Sequence, residues 1–372
     1  MTAPSDTGAT PATAAVAVDL PLSADEGWEA AALPPGETGA TPPEAPLDMP
    51  VQDLRARPPR GPDPGLPRLG TIAARLIAFG GAAAIGWIGL GQMALAFGTR
   101  MTFLQSVLLV LFVLTFTWVG FSLCSMLAGI FARRLVTPTG PNEARIAVVM
   151  PVYNEDSAVT AGLLATLARD LYRVGLGERA EIFVISDSRR PDAVLREMAA
   201  ISRLRDISPV PVWYRRRRDN HGRKAGNVAD FVRRWGGRYD QMVVLDADSM
   251  VGAATIKALS ARMNADPAIG LIQTMPMLVG GQTIFARVTQ FAGRIYGPAI
   301  ARGVSAWSGD SGNFWGHNAI LRVSAFAQCC GLPELPGRPP FGGSILSHDF
   351  VEAALLRRAG WKVRLDHDLR QS

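Results

Sequence analysis

Two acids stand one residue apart at the end of an apolar run, Val243-Val244-Leu245-Asp246-Ala247-Asp248. A buried strand that delivers a carboxylate pair at its exit can hold a hard divalent cation. That cation can bind both phosphates of a nucleoside diphosphate and neutralise the charge that develops as the diphosphate departs. Asp-x-Asp alone is a common loop pattern, but here it follows an apolar strand and arrives after a basic turn. That turn is Gly222-Arg223-Lys224-Ala225-Gly226-Asn227. It lacks the spacing of a Walker phosphate loop, yet it sets two cations beside a glycine where a helical pattern begins. Lys224 and the free N–H groups of a helix start suit a diphosphate; an ordinary basic turn is the competing reading.

An attacking hydroxyl also needs a base, and the candidate is Asp349 in Ser347-His348-Asp349-Phe350-Val351-Glu352, which opens a helical stretch. A helix N-terminus favours the anionic carboxylate, so Asp349 has to lie close to the acceptor to take its proton. Simple helix capping is the plainer role. His348 reads as an orienting or packing residue, because no second histidine stands at ligand spacing. Asp366-His367-Asp368 reads as a surface turn. Two further polar clusters follow apolar runs: Tyr153-Asn154-Glu155, and Asp187 with Asp192 shortly after. Such groups can accept hydrogen bonds from a base and a ribose, and they serve equally as caps and turn formers.

These residues need a scaffold that brings them together. Short β-branched runs alternate with helical patterns from Arg145 onward, which predicts an α/β domain with a mostly parallel sheet. Strands are expected at Ile146–Met150, Ile182–Ser186, Val210–Tyr214 and Met242–Leu245. In open α/β sheets the ligand crevice lies beyond the carboxyl ends of the strands, where all these polar residues fall. The expected organisation has three parts: a Pro/Ala-rich disordered tail over residues 1–70, two transmembrane helices within 71–134, and the catalytic domain over 145–372.

The tail has few aromatics and no sustained apolar period, so it cannot offset the entropy of ordering. Leu76–Phe97 and Phe103–Phe131 are uncharged and long enough to cross a bilayer core, which takes roughly 20 apolar helical residues. Arginines 55, 57, 60, 68 and 75 precede the first run, Arg133 and Arg134 follow the second, and Arg100 alone lies between. That bias places both ends in the cytoplasm.

A net charge of +6 raises the question of nucleic acid, but the basic residues are dispersed and no nucleic-acid motif accompanies them. The densest run, Arg215 to Arg218, reads as a solvated or phosphate-facing edge. The three cysteines, 124, 329 and 330, are too few for a disulfide framework or a zinc site and read as reduced and structural.

Taken together, Met150-Pro151-Val152-Tyr153-Asn154-Glu155-Asp156, Arg223-Lys224-Ala225-Gly226-Asn227, Asp246-Ala247-Asp248, Trp315-Gly316-His317-Asn318-Ala319 and Ser347-His348-Asp349-Phe350-Val351-Glu352-Ala353 agree in order and spacing with one family. Over about Arg145 to Ser372 the chain resembles the processive family 2 glycosyltransferases of the cellulose-synthase type, and within them the synthases of osmoregulated periplasmic glucan.

The resemblance implies a GT-A fold and inverting transfer from UDP-glucose, with Mg2+ or Mn2+ at Asp246 and Asp248. It implies donor contacts from Tyr153, Glu155, Asp187, Lys224 and Asp246, acceptor contacts from Trp315, His317 and His348, and Asp349 as base. The implied partners are UDP-glucose, the growing glucan chain, the bilayer and a periplasmic glucan-processing protein, and the implied location is the bacterial inner membrane. His348 stands where the wider family carries Glu, as it does in the glucan-synthase subgroup. The family's Gln/Arg-x-x-Arg-Trp element and later membrane helices would fall beyond Ser372, so a C-terminally truncated chain is expected. Two alternatives share these residues: a synthase of cellulose-like or amino-sugar polymer, and a membrane-tethered UDP-sugar sensor.

Overall fold

The computed structural model describes residues 38–63, 65–98, 100–131, 138, 142–338 and 342–369. Arg133 and Arg134 lie outside the described residues. So do residues 1–37, the larger part of the expected tail.

Among the described residues eight strands form one sheet: β1 (Thr38–Ala40), β2 (Ile146–Val152), β3 (Ala180–Ser186), β4 (Val212–Arg216), β5 (Gln241–Val244), β6 (Ile269–Thr274), β7 (Ala319–Arg322) and β8 (Lys362–Asp366). Their order across the sheet is β1-β4-β3-β2-β5-β7-β6-β8. The block β4-β3-β2-β5 is parallel, as the apolar runs predict. β7 runs antiparallel between β5 and β6, so the loop entering β7 lies beside the exit of β5.

Both faces of the sheet are covered, which is why its central strands are apolar throughout. Side chains alternate between the faces. Ala147 and Val149 pack with Phe231, Trp235, Phe326 and Leu356 on one side. Ile146, Val148 and Met150 pack with Leu164, Leu171, Ile201 and Leu259 on the other. The first group comes from the helices Arg223–Trp235, Val323–Cys329 and His348–Arg358; the second comes from Ser157–Arg173, Pro191–Ile207 and Ala253–Ala265.

Among the described residues two helices, Leu69–Phe97 and Phe103–Ile130, are long and apolar enough to cross a membrane. The first carries a π-helical turn at Leu76–Gly80, and the second opens on a reciprocal Thr102–Gln105 capping box. Against them lies the long helix Ile284–Ser308, and small residues bring the backbones close. A Cβ on Gly303 would meet the Ser125 carbonyl at 2.1 Å, and one on Gly129 would meet the Gly303 nitrogen at 2.6 Å. The Trp307 indole N–H donates to Ser125 Oγ at 2.9 Å. Arg75 Nε donates to the carbonyl of Trp307 at 2.9 Å, closing the C-terminal end of that long helix with a cation.

Three sequence expectations are overturned in whole or in part. Residues 38–63 do not belong to an unstructured tail: β1 extends the sheet along β4, and Met49 is buried in the core. Local composition hides this because every partner of the segment lies about 170 or more positions away. The arginine run is a solvated edge only at its end, where Arg218 is exposed. Arg215 and Arg216 are buried at the end of β4. Arg215 is matched by Asp230 at 2.8 Å and by the Asn227 side chain at 2.8 Å. Asp366 and His367 likewise prove to be buried, with Asp366 paired to Arg262, so that stretch is not a surface turn.

Candidate active site

The polar residues gather where the strands end. Lys224 stands in the first turn of the Arg223–Trp235 helix, preceded by Gly222 and Arg223, both at positive φ (67° and 50°). Gly226 makes the turn possible: a Cβ there would lie 2.0 Å from the His221 carbonyl. The Lys224 ammonium donates to Asp246 Oδ1 and, at 2.8 Å, to the carbonyl of Gly316. One cation therefore joins the exit of β5 to the loop entering β7.

That loop, Trp315-Gly316-His317-Asn318, is shaped by positive φ at Gly316 (84°) and Asn318 (52°). Buried Gln273 holds it, accepting the Trp315 N–H at 2.9 Å and donating to the His317 carbonyl at 3.0 Å. His317 Nε2 stands 3.9 Å from Asp246 Oδ2, while its Nδ1 lies 3.3 Å from Ser249 Oγ.

Asp349 comes from the opposite side, in the first turn of the His348–Arg358 helix. It lies beside Gly316: a Cβ there would sit in ordinary van der Waals contact, 3.4 Å from Asp349 Oδ2. The base candidate and the cation thus both adjoin one glycine, and the cation ties Asp246 to it. Beneath Asp349, His348 Nδ1 faces the buried Glu352 at 3.4 Å.

Burial pushes the Glu352 carboxyl above its ordinary range, against the pull of His348. Burial also disfavours a charged His348, but the Glu352 carboxylate and the Asp349 charge outweigh it, so His348 is held above its ordinary value. Both shifts have the same sign. From the ordinary glutamate range to beyond the ordinary histidine range, the native state binds more protons than the unfolded chain, and the pair's contribution to stability falls as pH rises. Glu352→Gln removes this dependence. Its melting temperature is expected to decline less than that of the parent between about pH 5 and about pH 8, read by thermal unfolding across buffers.

Asp187 lies one residue past β3, 5% exposed, and its carboxylate takes a two-point grip from Arg217, 2.5 Å from Nε and 2.8 Å from Nη2. Arg217 also donates to the Arg223 carbonyl at 2.7 Å, linking Asp187 to the basic turn. Asn154, at φ 57°, stitches the β2 loop to the β3 loop by accepting the N–H groups of Arg189 and Arg190. Tyr153 is half exposed, and Glu155 lines a small crevice with Ser157, Thr160 and Glu197. No hydrogen bond or ion pair joins either of them to the Lys224–Asp246–Asp349 cluster among the described residues.

Sequence reasoning passed over Gly316, Gln273, Arg217 and Glu352. Gly316 is legible in the Gly-His-Asn run, since Gly and Asn on either side of His317 both favour positive φ. The other three act only through partners distant in the chain.

A divalent cation fits this donor set on one condition. No three His, Cys, Asp or Glu side chains cluster as a cage among the described residues. Asp248 is exposed and Asp246 partly so. Two accessible carboxylates suit Mg2+ or Mn2+ that completes its shell with phosphate oxygens and water.

The model for "Glycosyl transferase family 2" matches residues 147–330. A glucans biosynthesis glucosyltransferase H from Shewanella sp. (strain ANA-3) is 45% identical over 348 residues, covering 89% of this chain and 47% of that protein. The protein of the same name from Shewanella baltica (strain OS185) is 44% identical over 347 residues, with the same coverage. The chain therefore spans about half the length of these curated relatives. A mannosyltransferase from Pyrobaculum calidifontis, solved with GDP-Man and Mn2+, aligns with a TM-score of 0.45 at 14% identity, covering 81% of this chain and 66% of that one. Motif order, sheet topology and sequence relatives converge: residues 147–330 form a glycosyltransferase family 2 domain with the GT-A fold.

Proposed function

We propose that this chain carries the catalytic part of an inverting glucosyltransferase that uses UDP-glucose to build the backbone of osmoregulated periplasmic glucan. The observation that carries the reading is the meeting of Lys224, Asp246, His317 and Asp349 around Gly316, each brought by a different segment. Relatives at 44–45% identity that bear the glucosyltransferase name support it.

Tyr153, Glu155 and Asp187 are assigned to the nucleoside end of the donor, with Arg217 already balancing the charge of Asp187. Lys224 is assigned to the diphosphate. Asp246 and Asp248 would hold Mg2+ or Mn2+, which when bound offsets the negative charge growing on the departing UDP. Trp315, His317 and His348 line the acceptor side, and Asp349 takes the proton of the attacking hydroxyl as that oxygen displaces UDP in line and inverts the anomeric carbon. Holding donor and acceptor in register can contribute roughly 7 to 11 kcal/mol, so the rigidity of the loop at Gly316 matters as much as the base.

The reading places the chain in the bacterial inner membrane, with the catalytic domain cytoplasmic. The two apolar helices and an exposed apolar row on the third, Ile284, Phe285, Val288, Phe291 and Ile295, support that placement.

The test is radiolabelled UDP-glucose given to the purified protein in detergent, with and without EDTA. Labelled polymer that forms only with metal is the expected result. Incorporation from UDP-N-acetylglucosamine instead would make it an amino-sugar polymerase, and donor binding without transfer would favour the sensor.

A further inference from the structure

The helices that carry Lys224 and Asp349 point their N-termini into the site and their C-termini to the back of the domain, and one segment holds both far ends. The last carbonyls of a helix have no partner within it. Here residues 38–63 supply several. The Ala45 N–H donates to the Arg234 carbonyl at 2.9 Å and the Leu47 N–H to that of Arg233 at 3.1 Å, in the last turn of the Lys224 helix. The Gly61 N–H donates to the Ala359 carbonyl at 2.8 Å, just past the Asp349 helix, and Arg358 reaches back to the Ala56 carbonyl. Between these anchors, Met49 and Leu47 pack into the core that the two helices share, and the buried Trp235 indole donates to the Pro42 carbonyl at 3.2 Å.

The domain has slots shaped for this segment. A Cβ on Gly331 would meet the Pro50 carbonyl at 2.0 Å, and one on Gly237 would meet the Ala45 carbonyl at 2.9 Å. At the first slot the Gln52 N–H donates to the Gly331 carbonyl at 2.7 Å. Neither glycine has positive φ, so their smallness serves the close approach and not a turn.

We propose that residues 38–63 are a positioning clasp: by tying the back ends of the two helices, they fix the separation of Lys224 and Asp349 at the front. The inference rests on the reaction proposed above. It assigns to the N-terminal segment a part in turnover and none in donor recognition.

Gly331→Val, which fills the Pro50 seat, is expected to lower kcat by about 10- to 100-fold, because misplacement on the order of 1 Å can cost about 10²-fold. The KM for UDP-glucose stays near that of the parent. Gly162→Ala, whose added methyl meets nothing within 4 Å, is the control and keeps full turnover. Should the valine variant fail to fold, Gly237→Ala, whose added methyl would press on the Ala45 carbonyl at 2.9 Å, replaces it with the same expected loss of turnover. Spin labels at Asp219 and Phe350 give a second readout that needs no chemistry, and their distance distribution should broaden when the clasp is displaced.

Unchanged turnover, or a narrow unaltered distance distribution, after loss of the clasp would overturn the proposal. So would kcat, donor affinity and melting temperature all falling together in both glycine variants. If the unaltered protein transfers no glucose while the distribution still broadens, the reading of its function fails and the clasp stands.

Discussion

Asp349→Asn is expected to abolish glucosyl transfer while leaving donor binding intact. The amide matches the carboxylate in size and can keep its packing against Gly316, so the loop and the Lys224 contact should persist. What it loses is the ability to take a proton. General-base catalysis is typically worth about 10²- to 10⁴-fold, and the loss should fall on kcat while the KM for UDP-glucose holds. UDP released at the parental rate by the Asn variant would remove Asp349 from this role.

Asp246→Asn should produce the second largest loss, and one of a different kind. Asp246 accepts from Lys224 and faces His317, so it fixes the site's main cation and is itself a candidate metal ligand. Removing its charge is expected to lower kcat/KM by about 10²- to 10³-fold, the range seen when a preorganised charge-stabilising contact is deleted. The metal concentration needed for half-maximal activity should rise as well. Stability should scarcely change, because the pair is 27% and 37% exposed and solvent-facing ion pairs contribute little. A variant with normal metal dependence would leave Asp246 without a place at the diphosphate.

The legible part of this molecule was its front. Each parallel strand announces itself as an apolar run ending in polar residues, because a sheet covered on both faces needs apolar side chains in both directions. Asp246, Lys224 and Asp349 could be read because their chemistry is local: an acid pair at a strand exit, a cation beside glycines, an acid opening a helix. The arginine run was misread for the opposite reason. Four consecutive arginines look solvated until β4 is known to end beside Asn227 and Asp230, and until Arg217 is known to reach Asp187. Glu352 shows the same limit, since its burial beside His348 depends on packing that a helical pattern does not encode.

Residues 38–63 carry a further lesson about time. Some of the groups they bind are made up to 302 positions later, as with Ala56 and Arg358. At ordinary rates of synthesis, roughly 5 to 20 residues per second, the segment waits roughly 15 to 60 seconds before its last seat exists, with two apolar helices emerging in between. A three-residue strand and an apolar anchor at Leu47 and Met49, left without their seats that long, can associate with other nascent chains. Pro42, Pro43, Pro46 and Pro50 guard against this, since a chain punctuated by proline cannot complete a β ladder with a stranger. The composition that makes the segment look unfoldable is what keeps it harmless until its seat is built.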